Sequence, residues 1–171
     1  MSRSLPLKVG LMLESDGPGG AEVVLLQLAR ELRNRGHTVY PIGPERGEGW
    51  LGQKFREDGF EPQTFHLRSF LDWRCVRRLA GLIRSLRLDV LHGHEFDGAV
   101  YGTLAAKLSG RPSVITLHGN GAWFTSAWRR RAALRWAFRR SGAVVLVSDE
   151  DERDVLVEVV LEPVLRAFAV S

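Results

Sequence analysis

The hydrophobic positions of this chain fall into short apolar runs separated by longer amphipathic stretches. The runs show little polar alternation, which is typical of strands that are covered on both faces of a parallel sheet. We predict six strands, of which the third is the weakest: Lys8–Leu13, His37–Ile42, Gln63–Leu67, Asp89–His92, Ser113–Leu117 and Ala143–Val147.

The stretches between the strands repeat their apolar residues at helical spacing. They predict helices over Ala21–Arg35, Leu51–Asp58, a segment from the cap Asp72 to Leu86, Phe96–Leu108 and Ser126–Arg140. Strands and helices that alternate in this way indicate an α/β fold: a doubly wound, mainly parallel sheet with helices on both faces, Rossmann-like, in one domain over residues 1–171.

Composition narrows the class of protein. With 44% hydrophobic and 26% charged residues in 171, the chain reads as a folded globular domain rather than a disordered one. No apolar run is long enough to span a membrane or to form a signal-peptide core, and the single cysteine, Cys75, excludes an internal disulfide. We therefore expect a cytoplasmic protein. The formal charge of +4 and the arginine-rich basic residues fit an anionic partner, although compositional bias is an equal explanation.

A glycine-rich turn joins the first strand to the first helix. Gly19 and Gly20 stand where the unpaired N–H groups of the helix point outward, so the turn predicts a phosphate-binding site. It is neither a dinucleotide fingerprint, because Glu22 occupies the last glycine position, nor a Walker A loop, because no lysine follows. The alternative is a tight turn without a ligand.

Polar residues also follow other predicted strands. His92 to Asp97 follow the fourth strand, His118 to Gly121 the fifth, and Ser148 with an acidic turn the sixth, while Glu14 precedes the glycine turn. Ligands of doubly wound sheets bind beyond the carboxyl ends of the strands, so these clusters predict a crevice. The alternative is that βα loops are simply polar.

The histidines allow three interpretations. His92, His94 and His118 with Glu95 or Asp97 would form a metal-dependent hydrolase site, although no further ligand is recognisable. His118 would otherwise face a substrate as a hydrogen-bonding or proton-handling group, or it caps a neighbouring loop without any function.

The last predicted helix region is the most basic and aromatic part of the chain. It carries Arg129–Arg131, Arg135, Arg139 and Arg140 together with Trp123, Trp128, Trp136 and Phe138. On a helical wheel these arginines spread around most of the circumference, which favours a helix packed on the sheet over a membrane-surface helix. Contact with anionic lipid or a lipid-linked acceptor stays as the alternative. No nucleic-acid-binding motif accompanies the charge, so we expect no nucleic-acid partner.

Taken together, these residues resemble the N-terminal domain of GT-B-fold glycosyltransferases of family 4, from about Leu7 to Leu156. The motifs that carry the resemblance are Gly19-Gly20-Ala21-Glu22, Leu28-Ala29-Arg30-Glu31-Leu32, Gly36-His37-Thr38-Val39, Leu88-Asp89-Val90-Leu91-His92-Gly93-His94, Thr116-Leu117-His118-Gly119 and Val145-Leu146-Val147-Ser148. They stand in the order and spacing of that family.

The resemblance implies two Rossmann-like halves with the reaction in the cleft between them. The first half binds mainly the acceptor and the second half the nucleotide-sugar donor; transfer retains the anomeric configuration and uses no metal or other cofactor. It also implies roles for single residues. Gly19 and Gly20 approach the donor diphosphate, His118 faces the transferred sugar as the catalytic residue, and His94, Glu95, Asp97, Gly119 and Asn120 line the acceptor side.

The chain departs from the family in its length, because 171 residues leave no room for a donor half. The family's donor-side basic residue and Glu-x7-Glu motif belong in that half, and we treat the same spacing in Glu14/Glu22 and Glu150/Glu158 as coincidence. We therefore expect the chain alone to be inactive and to be completed by a missing C-terminal domain or a second chain. The alternative is a non-catalytic binding or assembly module of the same fold.

Overall fold

The computed structural model of the chain describes residues 5–45, 49–68, 72–118 and 127–147. Six parallel strands form one sheet in the order β3-β2-β1-β4-β5-β6. Their bounds are β1 Lys8–Met12, β2 Thr38–Pro44, β3 Gln63–Phe65, β4 Val90–His94, β5 Ser113–His118 and β6 Ala143–Val147. The predicted α/β fold with a parallel, doubly wound sheet is confirmed.

The described helices connect these strands. They are α1 Gly20–Asn34, α2 Trp50–Glu57, α3 Trp73–Leu86, α4 Glu95–Asp97, α5 Thr103–Leu108 and α6 Trp128–Arg140, with a π-helical turn over Gly98–Gly102 between α4 and α5. Asp72 caps α3 by accepting hydrogen bonds from two backbone N–H groups, as predicted. Gly36 follows α1 with a φ of +88°, which is the conformation expected of a glycine at a helix C-terminus.

Each face of the sheet buries its own apolar core. Alternate strand residues such as Leu11, Val90 and Val114 pack against α1 and α2. Their neighbours, among them Met12 and Leu91, pack against α3, α5 and α6. Both faces are therefore covered, which is why the strands read as continuous apolar runs.

Two predicted boundaries were wrong near the centre of the sheet. β4 continues past His92 to His94, because Gly93 and His94 stay in register with Ile115 and Thr116 of β5. The predicted helix Phe96–Leu108 begins at Glu95 and contains the π-helical turn. The turn lies where a Cβ atom on Gly93 would overlap the backbone carbonyl group of Gly98, so the helix and strand approach more closely than other residues allow.

Several predicted segments fall outside the part of the chain that the structure describes. The acidic turn after Ser148 and the apolar tail lie outside the described residues, as do Ser126 and the loop around Gly47. Within the described part of the chain, no helix combines the length and apolar character needed to cross a membrane.

Candidate functional site

The candidate site lies at the point where the strand order reverses. β1 pairs with β2 on one side and with β4 on the other, so the loops after β1 and β4 leave the sheet in opposite directions and open a crevice between them. The backbone N–H of Asp97, after β4, donates a 2.5 Å hydrogen bond to Oε2 of Glu14, after β1. This hydrogen bond joins the segments after β1 and β4 at the base of the crevice, which we call its floor.

The glycine turn stands at the mouth of the crevice with a carboxylate over it. Gly19 is the N-cap of α1 in an extended conformation, and no side chain caps the helix there. Glu22, in the first turn of α1, is buried, and a Cβ atom on Gly19 would overlap its carboxylate. The turn therefore has the uncapped helix N-terminus that the prediction of an anion site requires, but an acidic side chain of the same turn lies against it.

The glycine turn is also anchored on its other side. Asp16 accepts a 2.8 Å hydrogen bond from the backbone N–H of Gly52 and, through its own carbonyl oxygen, one of 3.4 Å from that of Leu51. Both donors lie in the first turn of α2, so the turn between β1 and α1 is held to a second helix. A fixed backbone is what an anion-binding turn requires.

A row of histidines runs along β4 and β5 beneath α1. His92 and His94 are two residues apart on β4, so both rings point to the same face of the sheet. Nε2 of His92 lies 2.7 Å from Oγ1 of Thr116. Nδ1 of His94 lies 2.9 Å from Nε2 of His118. The rings of His94 and His118 stack with their centroids 5.2 Å apart. Nδ1 of His92 and Nε2 of His94 are buried without a hydrogen-bond partner among the described residues.

Burial keeps these three imidazoles neutral. It lowers the pKa of His92 to about 3 and that of His118 to about 4, and it lowers the pKa of His94 well below its usual value. The charge of Glu22 acts in the opposite direction on His118. Glu22 therefore links the glycine turn of α1 electrostatically to His118.

Three carboxyl groups complete the site. Glu95 stands at the end of β4 with a φ of 60°, a left-handed conformation that costs energy for a residue with a side chain. That conformation brings its Oε1 to 3.1 Å from the backbone N–H of His118, which donates to it. Burial is the main cause of the raised pKa values of Glu95 and Asp97. The pKa of Glu14 is raised to about 7, first by burial and then by the charges of Asp97 and Glu95.

The structure brings most of the predicted site residues together. Hydrogen bonds connect His94, His118 and Glu95, while Asp97, in the same short helix as Glu95, contacts Glu14. The Gly19–Gly20 turn lies at the same edge of the sheet. Gly119 and Asn120 lie outside the described residues.

Three partners had no assigned role in the sequence analysis. Glu14 was placed in the predicted crevice only as a polar residue after the first strand, and Glu22 and Thr116 were given no function. The strand order, with β4 beside β1 and β5, is the signal that would have shown the contacts of Glu14 and Thr116.

The geometry also bears on the metal hypothesis. Among the residues that the structure describes, no group of three or more His, Cys, Asp or Glu side chains is arranged to hold a metal ion. His92 and His94 instead turn one ring nitrogen each to Thr116 and His118. This observation gives the hydrolase interpretation no support.

The family model described as Glycosyltransferase Family 4 matches residues 18–162. No curated protein sequence matches the chain. Among solved structures, the chain is similar to HepE from Anabaena in complex with UDP and glucose, with a TM-score of 0.65 at 20% identity over 81% of this chain and 37% of that one.

Two further structures share the fold. MurG from Acinetobacter baumannii gives a TM-score of 0.61 at 19% identity, covering 82% of this chain and 41% of that one. A UDP-N-acetylglucosamine 2-epimerase gives 0.57 at 15% identity, covering 81% and 41%. The chain thus spans about two fifths of the length of these structures, and at such identities the similarity shows the fold alone.

Proposed function

Because the chain belongs to glycosyltransferase family 4, we propose that it forms the acceptor-side half of a retaining, metal-independent enzyme that transfers a sugar from a nucleotide-sugar donor. The observation that carries this proposal is the crevice between β1 and β4. There Glu95, Asp97 and His118 lie together, with Glu14 on the floor and the Gly19–Gly20 turn at the mouth.

Different residues of the crevice would have different roles in the transfer reaction. The anomeric C–O bond to the nucleoside diphosphate would break while a bond to an acceptor oxygen forms on the same face, and the proton of the acceptor hydroxyl group would pass to the departing diphosphate. The N–H groups of Gly19 and Gly20 at the N-terminus of α1 would stabilise the departing diphosphate. Neutral His118 would hydrogen-bond the sugar in transfer, while His94, Glu95 and Asp97, with Gly119 and Asn120, would line the acceptor side.

The donor pocket would come from a second Rossmann-like unit outside this sequence, either in the same polypeptide or in a partner chain. HepE, crystallised with UDP and glucose, is more than twice as long as the region that this chain matches. We further propose that the complete enzyme acts in the cytoplasm and touches membranes at most peripherally.

Nucleotide-sugar binding to the glycine turn tests the proposal. UDP-glucose and GDP-mannose are titrated into the ¹⁵N-labelled chain, with and without a donor unit supplied in trans, while amide shifts are followed by NMR. We expect the amides of Gly19, Gly20 and Ala21 to shift. Gly20→Asp should suppress these shifts, since it places a carboxylate at the first position of α1. The helix dipole and the open space around Gly20 accommodate the new side chain.

Gly81→Asp is the matched control. It makes the same chemical change at an exposed position of α3 with equally open space, so it should leave the shifts unchanged. No response of the Gly19–Ala21 amides to either donor, even with the donor unit present, would contradict the proposal.

A non-catalytic binding module is the second candidate, and one observation favours it. The carboxylate of Glu22 already lies against Gly19, where a donor phosphate would come. If the chain binds a donor unit tightly but the pair neither binds nor consumes a nucleotide sugar, the module is the correct interpretation.

A further inference from the structure

A cavity of about 470 Å³ opens next to the candidate acceptor site. Its lining combines cationic and aromatic side chains: Leu67, Arg68, Phe96, Asp97, Tyr101, Ala127, Arg129 and Arg130. We refer to it as the arginine cavity. Asp97 lines the cavity, and its backbone N–H contacts Glu14, so the cavity and the crevice share this residue.

We propose that the acceptor of this enzyme carries a phosphate group, and that Arg68, Arg129 and Arg130 bind that group in the arginine cavity. The inference rests on the proposed function, because it takes the crevice beside Asp97 as the acceptor site. It adds the chemical class of the acceptor, which neither the fold nor the family specifies.

The charges of the cavity do not neutralise one another. Three arginines and one acidic residue, Asp97, line the cavity, and none of these arginines has a carboxylate within ion-pair distance in the described part of the chain. Arg68 comes from the loop after β3, while Arg129 and Arg130 come from α6. Two separate elements thus bring cations to one cavity, where each guanidinium offers a planar fork of donors that suits phosphate oxygens.

The position of two of these arginines is unfavourable without an anion. Arg129 and Arg130 lie in the first turn of α6, which contains no acidic residue and has no side-chain cap at Ala127. Cations there add to the positive end of the helix dipole. An anion in the cavity would offset this repulsion, which Asp97 offsets only in part, since its charge interacts with that of Arg130.

An aromatic side chain of the cavity orders one of its cations. The guanidinium of Arg130 lies 4.2 Å from the ring centroid of Phe96, which holds it in place before any ligand binds. Phe96 and Tyr101 are both buried and form the aromatic wall behind the cations. At about 470 Å³ the cavity has room for a phosphorylated sugar, either as a soluble phosphate ester or as the headgroup of a lipid phosphate.

Direct binding measurements on the full chain separate these sources. Glucose 1-phosphate and methyl glucoside are titrated by calorimetry, and cosedimentation is measured with phosphatidylcholine vesicles with and without phosphatidic acid. We expect a phosphate-bearing probe to bind at least about tenfold more tightly than its neutral counterpart. A response to glucose 1-phosphate assigns a soluble ester, and a response confined to acidic vesicles assigns a lipid phosphate; either supports the proposal.

Charge-matched variants identify the cavity. Arg129→Gln/Arg130→Gln should weaken the phosphate response at least about tenfold, and Arg68→Gln should weaken it as well, from a different element. Arg135→Gln/Arg139→Gln removes the same charge from α6 at positions that line another groove, and should change the response less than about twofold. Circular dichroism confirms folding of each variant.

Three results overturn the proposal: equal binding of charged and neutral probes, no binding of any phosphate-bearing probe, or equal losses in the two double variants. These measurements need no nucleotide sugar. If the phosphate response is present but the amides of Gly19 and Gly20 ignore the donors, it is the proposed function that fails and not the cavity.

Discussion

Nδ1 of His94 lies 2.9 Å from Nε2 of His118, and both rings are neutral, so a single proton lies between them. Nε2 of His94 is buried and has no partner among the described residues. A buried donor without an acceptor is rarer than a buried acceptor without a donor, which favours the proton on Nδ1 of His94. His118 then accepts through Nε2 and carries its own proton on Nδ1. In the proposed reaction, His118 would offer that proton to a hydroxyl group of the transferred sugar.

His118→Ala should therefore lower turnover about 10²-fold when a donor unit is supplied, because a directed hydrogen bond to the reacting sugar is lost. Its effect on folding should be modest, about 1–3 kcal/mol, since Nδ1 of His94 loses its partner. Turnover is measured as kcat with saturating UDP-sugar, and stability by urea unfolding.

Thr116→Val is the matched control for His118→Ala. It removes the hydrogen bond to Nε2 of His92 in the same buried row and should cost a similar free energy of unfolding. Thr116 contacts neither the glycine turn nor the carboxyl groups in the described structure, so turnover of the folded protein should stay near that of wild type. Equal losses of turnover in the two variants would make His118 a structural residue.

Glu22→Gln should tighten the binding of a nucleoside diphosphate by roughly two- to fivefold, the size expected for one charge at a helix N-terminus. The Glu22 carboxylate lies against Gly19, where it repels phosphate, and glutamine keeps the shape without the charge. Calorimetric titration with UDP at low and high salt measures the gain, which should shrink as salt increases. Weaker binding by the variant would show that Glu22 contacts the ligand favourably.

The sequence predicted the sheet well and the site only in part, for physical reasons. Strands such as β5 are apolar along their length because helices cover both faces, and that pattern is readable. The end of β4 was missed because two histidines around a glycine, His92-Gly93-His94, resemble the sequence of a polar loop. It is a strand because Gly93 and His94 pair with β5. Contacts such as Asp97 to Glu14 join residues 83 positions apart, and only the strand order places them together.

The stability of the protein should depend on Glu14 between about pH 5 and pH 8. Its pKa rises from 4.5 to about 7 in the folded protein, through burial first and then the charges of Asp97 and Glu95. The folded state holds the proton more tightly, so this group lowers stability as pH increases from about 4.5 to about 7. Glu14→Gln mimics the protonated form. Its free energy of unfolding should exceed that of wild type by a margin that grows with pH.

The buried histidines also make stability depend on pH, so the free energy of unfolding of wild type is subtracted from that of Glu14→Gln at each pH. Because their pKa values are lowered in the folded protein, the histidines contribute to the free energy of unfolding above about pH 6.5, and this contribution is lost as the pH falls toward 4. This trend has the opposite sign and is common to both proteins, so it cancels in the difference. A difference that stays constant from pH 5 to pH 8 would show that Glu14 does not titrate in this range.

Gly93→Ala should destabilise the protein by at least about 2 kcal/mol, because its Cβ atom would overlap the backbone carbonyl of Gly98 and no flexible side chain can move aside. Gly81→Ala makes the same change on the exposed face of α3 in open space and should stabilise the protein by about 0.5–1 kcal/mol. Urea unfolding measures both values. If Gly93→Ala folds with wild-type stability, the close packing of β4 against the π-helical turn, and with it the placement of Glu95 and Asp97, is incorrect.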